Sequence, residues 1–212
     1  MPEPRPGTLA GTSRDRKRPA GGLKRPETWP LNGHVNERLR TAMMRSGVSV
    51  PREVWLRLIT AAIAHIDVLV FSGTFYAQTQ PKIAATLADA AGRGVQVRLC
   101  FGDPGSDAVA TRDREERLGG TLAAKIRSAL TYYRPLATVD GCQLRLHATT
   151  LYASLFRYDE EIMVNPHAYG EPASANPTLH LRRLDGGQVA AHYMACFDRV
   201  WETAKPWYGE EA

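Results

Sequence analysis

The sequence predicts a single α/β domain in which a mixed sheet is flanked by helices, and three observations predict it. Between Pro51 and Gly102 the apolar spacing changes period repeatedly, giving helix, strand, helix and strand in turn. From Cys142 to Leu184 the period is two, with turn residues between the runs. The chain has 212 residues, 43% of them hydrophobic and 23% charged, which is length and composition enough for one sizeable core.

The elements follow in order. Residues 1–31 hold seven basic side chains (Arg5, Arg14, Arg16, Lys17, Arg18, Lys24, Arg25) against three acids (Glu3, Asp15, Glu27), so four of the five net positive charges lie there. Rich in proline and without apolar periodicity, this stretch reads as part of a basic arm over 1–34 that cannot offset its ordering entropy. The run NERLRTAMMRSG, from Asn36 to Gly47, puts Leu39, Ala42 and Met43 at helical spacing between an Asn cap and a Gly stop. A second helix opens at Pro51 with an apolar stripe of Val54, Trp55, Leu58, Ile59, Ala62, Ile63 and Ile66.

DVLVFSG at 67–73 is short, β-branched and hardly alternating, which predicts a central strand covered on both faces. PKIAATLADAAGR, from Pro81 to Arg93, returns to helical spacing and leads through a glycine turn into the buried strand VQVRLCFG; the two strands should be parallel. The acid- and arginine-rich segment 102–120 reads as a surface helix between loops, at the end of the sheet where parallel strands usually present a ligand site. Thr121 to Pro135 form a further amphipathic helix with Leu122, Ile126, Ala129, Leu130 and Tyr133 inward. CQLRLH at 142–147 alternates cleanly, LYASLFR and IMVNPHAYG form a hairpin about the turn YDEE, and TLHLRRL at 178–184 is another strand. The last helix carries Val189, Tyr193, Cys196, Phe197, Val200 and Trp201 on one face.

Some functions are excluded early. No stretch approaches the roughly 18 to 20 apolar residues of a membrane helix, and the start has no apolar core of a secretory signal, so no membrane span and a cytoplasmic location are expected. Cys100, Cys142 and Cys196 are widely spaced in apolar runs and read as free buried thiols. With no CxxC pair, neither a metal nor a cofactor is expected.

The polar groups hardest to explain as packing lie between His147 and Gly170. His147 ends a strand, Thr149 follows in a tight connection, Ser154 and Arg157 lie on the first arm of the hairpin, and Asn165 and His167 on the second. With Asp159 and Glu160 in the turn, one face would collect hydroxyl, guanidinium, amide and imidazole groups, an inventory suited to an oxyanion. The expected ligand-binding set is His147, Thr149, Ser154, Arg157, Asn165 and His167.

The phrases AAGRGVQVRLCFGD, GDPGSDAVATRDREE, YYRPL, RLHATTLYASLFRYDEEIMVNPHAYG, LHLRRL and FDRVWETAKP carry a family resemblance. The first resembles the opening half of a phospholipase D superfamily domain, and the others resemble the phospholipase D-like domain at the C-terminus of bacterial Xre-type helix-turn-helix transcriptional regulators, over about residues 50–208. The resemblance implies a phospholipase D-like mixed sheet, metal-free chemistry and a homodimer. It also makes residues 35–48 the remnant of a DNA-binding domain. Too few residues separate Gly47 from the next helix for a recognition helix, so DNA binding should be weak or lost.

The superfamily motif His-x-Lys, four residues, then Asp is degenerate here: His147 matches, Thr149 stands at the lysine, and Ser154 occupies the spacing of the acid. If the chain is an enzyme, the resemblance implies His147 as nucleophile, His167 as proton donor and Asp159 as a displaced acid, with Arg157 replacing the lysine. The degenerate motif makes a non-catalytic ligand-sensing or regulatory module for a small anionic or phosphorylated ligand the expected function. A metal-free phosphodiesterase is the alternative.

Overall fold

In the computed structural model, which describes residues 42–46, 50–79, 82–183 and 187–210, the chain builds one eight-stranded mixed sheet. Its strands are β1 (Ala42–Ser46), β2 (His65–Leu69), β3 (Gln96–Gly102), β4 (Cys142–His147), β5 (Ala153–Tyr158), β6 (Glu161–Pro166), β7 (Pro177–Arg182) and β8 (Lys205–Pro206). The helices are α1 (Arg52–Ala61), α2 (Thr74–Thr79), α3 (Ile83–Gly92), α4 (Asp107–Glu115), α5 (Thr121–Tyr133) and α6 (Gln188–Thr203). The strand order is β1-β7-β6-β5-β2-β3-β4-β8. At the centre β2, β3 and β4 are parallel, and the hairpin and its neighbours add antiparallel strands beside β2.

The central strands are covered on both faces: Ile66, Val68, Val97, Leu99 and Phe101 on one side and Asp67, Leu69 and Cys100 on the other are all fully or almost fully buried. Helix α3 turns Ile83, Leu87, Ala90 and Ala91 inward, and α5 turns in Leu122, Ile126, Ala129, Leu130 and Tyr133, the faces their spacing predicts. Burying such a stripe is worth about 25 cal/mol per Å² of apolar surface, which is what holds these helices on the sheet.

Four expectations are corrected. Residues 42–46, expected in a helix, form an antiparallel strand on β7, and the rest of that run lies outside the described residues. Strand pairing satisfies backbone groups on the open β7 edge, which a helix there would leave unpaired. Helix α1 stops at Ala61, so Ile63 is exposed and Ile66 belongs to β2. The amides of Ile63, Ala64 and His65 turn instead to the Asp159 carboxylate, at 2.9, 2.9 and 2.8 Å.

The buried face of α6 runs through Ala190, Met194, Phe197, Val200 and Trp201, leaving Val189 exposed in the first turn. Segment 107–115 is the helix expected, yet not a solvated one: Arg112 and Asp113 are buried. The Asp113 carboxylate caps α5 by accepting from the amides of Gly120 and Leu122 at 2.6 and 2.7 Å. Residues 1–34, the expected arm, lie outside the described residues.

Candidate functional site

The parallel strands end where β2 gives way to Phe71, Ser72, Gly73 and Thr74, and there the sheet opens into a cavity of about 210 Å³. Gly73 makes the turn possible: its φ is +63°, and a Cβ would stand 2.7 Å from the Phe101 ring. Its carbonyl is held by the Tyr133 hydroxyl at 3.1 Å.

One wall is aromatic, from Trp55, Phe71, Phe75, Tyr76 and Phe156. Trp55 meets Phe75, Tyr76 and Phe156 edge to face with centroids 5.0 to 5.8 Å apart. Its indole N–H is buried with no hydrogen-bond partner among the described residues.

The opposite wall is polar and comes from the hairpin. Ser154 and Asn165 face each other across β5 and β6, so both side chains stand on the cavity face. The Asn165 amide donates to the carbonyls of Asn176 and Pro177 at 3.2 and 3.0 Å. His167 lies one residue beyond β6 and two after Asn165, and its amide still donates to the Tyr152 carbonyl at 2.8 Å, so its ring stands on the same cavity face. The ring Nε2 is 3.0 Å from Ser154 Oγ and Nδ1 is 3.2 Å from the Leu151 carbonyl. Burial, then the charge of Arg112, pushes His167 down to about 4, so its imidazole is neutral at pH 7.

At the mouth, α4 and α5 contribute charge. Lys125 is exposed on the rim. Glu116 also lines the cavity but is paired with Arg112, whose guanidinium reaches the Glu171 carbonyl at 3.0 Å. Sequence reasoning missed Trp55, Ser72, Thr74, Lys125 and Thr178. The hydroxyls at 72 and 74 could have been found, since they directly follow the apolar run Val68–Phe71 at the end of a parallel strand.

Of the six expected ligand residues the structure brings Ser154, Asn165 and His167 into the cavity and leaves the other three out. His147 is 1% exposed and both ring nitrogens are engaged by backbone: Nε2 donates to the Val70 carbonyl at 3.1 Å and Nδ1 accepts from the Thr149 amide at 3.3 Å. Burial pushes its pKa down, outweighing those bonds. Phe71 lies between the two histidine rings, 5.6 Å from that of His147 and 6.1 Å from that of His167. Thr149 is the half-buried residue that tethers His147.

Arg157 is three residues from Ser154, so strand alternation sends it to the other face of the sheet. There it meets the fully buried Asp67 at 3.2 Å, beside Arg98, which binds Asp67 at 2.7 and 2.8 Å. Asp159 sits in the hairpin turn with φ +52°. Its burial works to raise the carboxyl pKa, and the three amides of the α1–β2 turn outweigh that and hold it low. It is a cap for that turn, remote from the cavity wall.

No family model matches the chain, and no curated protein matches it in sequence. Among the solved structures that resemble it, three cover 79% of this chain each. Phosphatidylserine synthase of Haemophilus influenzae Rd KW20 matches with a TM-score of 0.50 at 13% identity. What is shared is the fold. TrmBL2, an archaeal chromatin protein with a novel mode of DNA binding, matches at 0.49 and 14%, and Nuc, a phospholipase D family member from Salmonella typhimurium, at 0.48 and 15%. The chain spans 55% of TrmBL2, 97% of Nuc and 39% of the synthase.

The expected fold class, a mixed α/β sheet with flanking helices in a single domain, is the observed one. No helix among the described residues is long and apolar enough to cross a membrane.

Proposed function

We propose that the chain is a ligand-binding regulatory module that takes a small anionic or phosphorylated molecule into the cavity at the end of β2. The placement of Lys125 supports this most. Lys125 has no carboxylate partner among the described residues, while Arg112 is shared between Glu116 and Glu115. The Lys125 ammonium is therefore left to meet an anion at the mouth. Inside, the hydroxyls of Ser72, Thr74 and Thr178 supply neutral donors, and Trp55, Phe71 and Phe75 supply flat apolar surface for a ring. Phosphodiester cleavage through His147 gains no support, because a nucleophile needs a free lone pair and both of its nitrogens face backbone partners.

The test is thermal melting of the full chain at pH 7 with adenosine 5′-monophosphate, glucose 6-phosphate or inorganic phosphate. A ligand at a hundred times its Kd adds about 2.7 kcal/mol. At least one compound is expected to raise the Tm, and Lys125→Glu to remove that rise. A panel with no shift, or a shift indifferent to Lys125→Glu, would overturn the reading.

A further inference from the structure

The hydrogen bond between Ser154 and His167 has a direction that the surrounding atoms fix. A carbonyl oxygen only accepts, so the 3.2 Å contact to Leu151 places the ring hydrogen on Nδ1. Nε2 is then the bare nitrogen, and across 3.0 Å the Ser154 hydroxyl must donate to it. The opposite tautomer would set a lone pair of Nδ1 against that of the carbonyl. Asn165, directly across the ladder, gives its amide hydrogens to two backbone carbonyls and leaves the hydroxyl to the imidazole. Phe71 stacks on the ring at 26° between planes and fixes its tilt.

A serine hydroxyl donating to a neutral imidazole whose far nitrogen is held by an acceptor is the arrangement that activates serine for attack. Both side chains line the same cavity, together with Ser72, Thr74 and Lys125, whose hydroxyls and ammonium can receive developing negative charge. We propose that Ser154 and His167 form a nucleophile and base pair, and that the cavity transfers the acyl group of a small ester to water. This rests on the reading that a ligand enters the cavity, and adds a covalent step that the module reading does not contain.

Ser154 Oγ bonds to the acyl carbon while its proton passes to Nε2, the carbon–oxygen bond to the leaving group breaks, and that proton leaves with the alcohol. Water then attacks the acyl-serine, Nε2 takes a water proton, and Oγ recovers its hydrogen as the carboxylic acid departs. An imidazole held near 4 is always neutral at pH 7 and is a weak base. Turnover is therefore slow and confined to esters with a good leaving group.

The experiment is reaction of the full chain with an ethoxy fluorophosphonate, where Oγ displaces fluoride from phosphorus, followed by peptide mass spectrometry, beside p-nitrophenyl acetate hydrolysis. The adduct is expected on Ser154, absent in Ser154→Ala and slowed at least tenfold in His167→Gln. The exposed Ser128→Ala should react like wild type. Site mapping on the wild-type protein needs no variant, so a His167→Gln that fails to fold leaves the test intact. No adduct on Ser154 in a folded chain, or an undiminished rate in folded His167→Gln, overturns the proposal. If phosphorylated compounds still raise the Tm while Ser154 stays unmodified, the dyad falls alone and the binding module stands.

Discussion

Asp67→Ala should be among the most damaging single substitutions in the sheet, and its size can be worked from the contacts. The carboxylate is fully buried and holds Arg98 at 2.7 and 2.8 Å and Arg157 at 3.2 Å. Removing one partner of a buried pair costs about 3–5 kcal/mol, because the other charge is left uncompensated. Arg98 has a fallback in Asp198 at 3.0 Å and lies 4.6 Å over the Phe197 ring. Arg157 would keep only the Asp159 carbonyl at 2.9 Å.

One guanidinium rather than two is orphaned, and both are 14% exposed, so the loss should be near the lower bound, about 3 kcal/mol. For a chain of this size that is a fall in Tm of roughly 6–12 °C. Urea and thermal unfolding measure it. Replacing all three charges together, as Asp67→Leu with Arg98→Met and Arg157→Met, should recover much of the stability. Arg157→Met alone should lower the Tm and leave any ligand-induced shift unchanged. An Asp67→Ala protein within about 1 kcal/mol of wild type would refute the buried-network account. An Arg157→Met protein blind to ligand would return that side chain to the binding site.

Other substitutions test neighbouring parts. His147→Ala should destabilise by about 2–4 kcal/mol, since it opens a cavity and strips the Val70 carbonyl and Thr149 amide of partners. It should leave fluorophosphonate reaction at Ser154 intact, and a stable His147→Ala protein that no longer responds to ligand would contradict this. His167 titrates near 4 folded against 6.5 unfolded, so the unfolded chain binds more protons between those values. Stability is therefore full above about pH 6.5 and falls by up to about 3 kcal/mol as pH drops to 4, at about 1.4 kcal/mol per unit. Melts at pH 7 and 4.5 should show a smaller difference in His167→Gln, and an identical one would refute the assignment. Gly73→Ala forces a side chain into φ +63° and against Phe101, so about 2 kcal/mol should be lost together with ligand-induced stabilisation.

What the sequence determined alone was the set of elements and their core faces. Ile83, Leu87, Ala90 and Ala91 on α3 declare themselves by spacing of three and four, and Val68, Leu69, Leu99 and Cys100 by short β-rich apolar runs, because burial is a periodic demand on a local stretch. The hairpin turn at Asp159 and the parallel pairing of β2 with β3 followed by the same logic. Where local signals were weak the reading failed: residues 42–46 pair with β7 because of an edge made by residues far along the chain.

The site was legible only in part, since its composition is a matter of which faces and ends meet. Ser154, Asn165 and His167 are the expected residues that meet there, two of them at i and i+2 on one arm of the hairpin, but strand alternation carries Arg157 to the far face. Trp55 from α1, Thr74 at the start of α2 and Lys125 from α5 join the cavity across long stretches of sequence that no spacing connects. The tertiary structure also decided protonation. The tautomer of His167 and the occupied nitrogens of His147 depend on the carbonyls of Leu151 and Val70, which the packed sheet alone sets beside those rings.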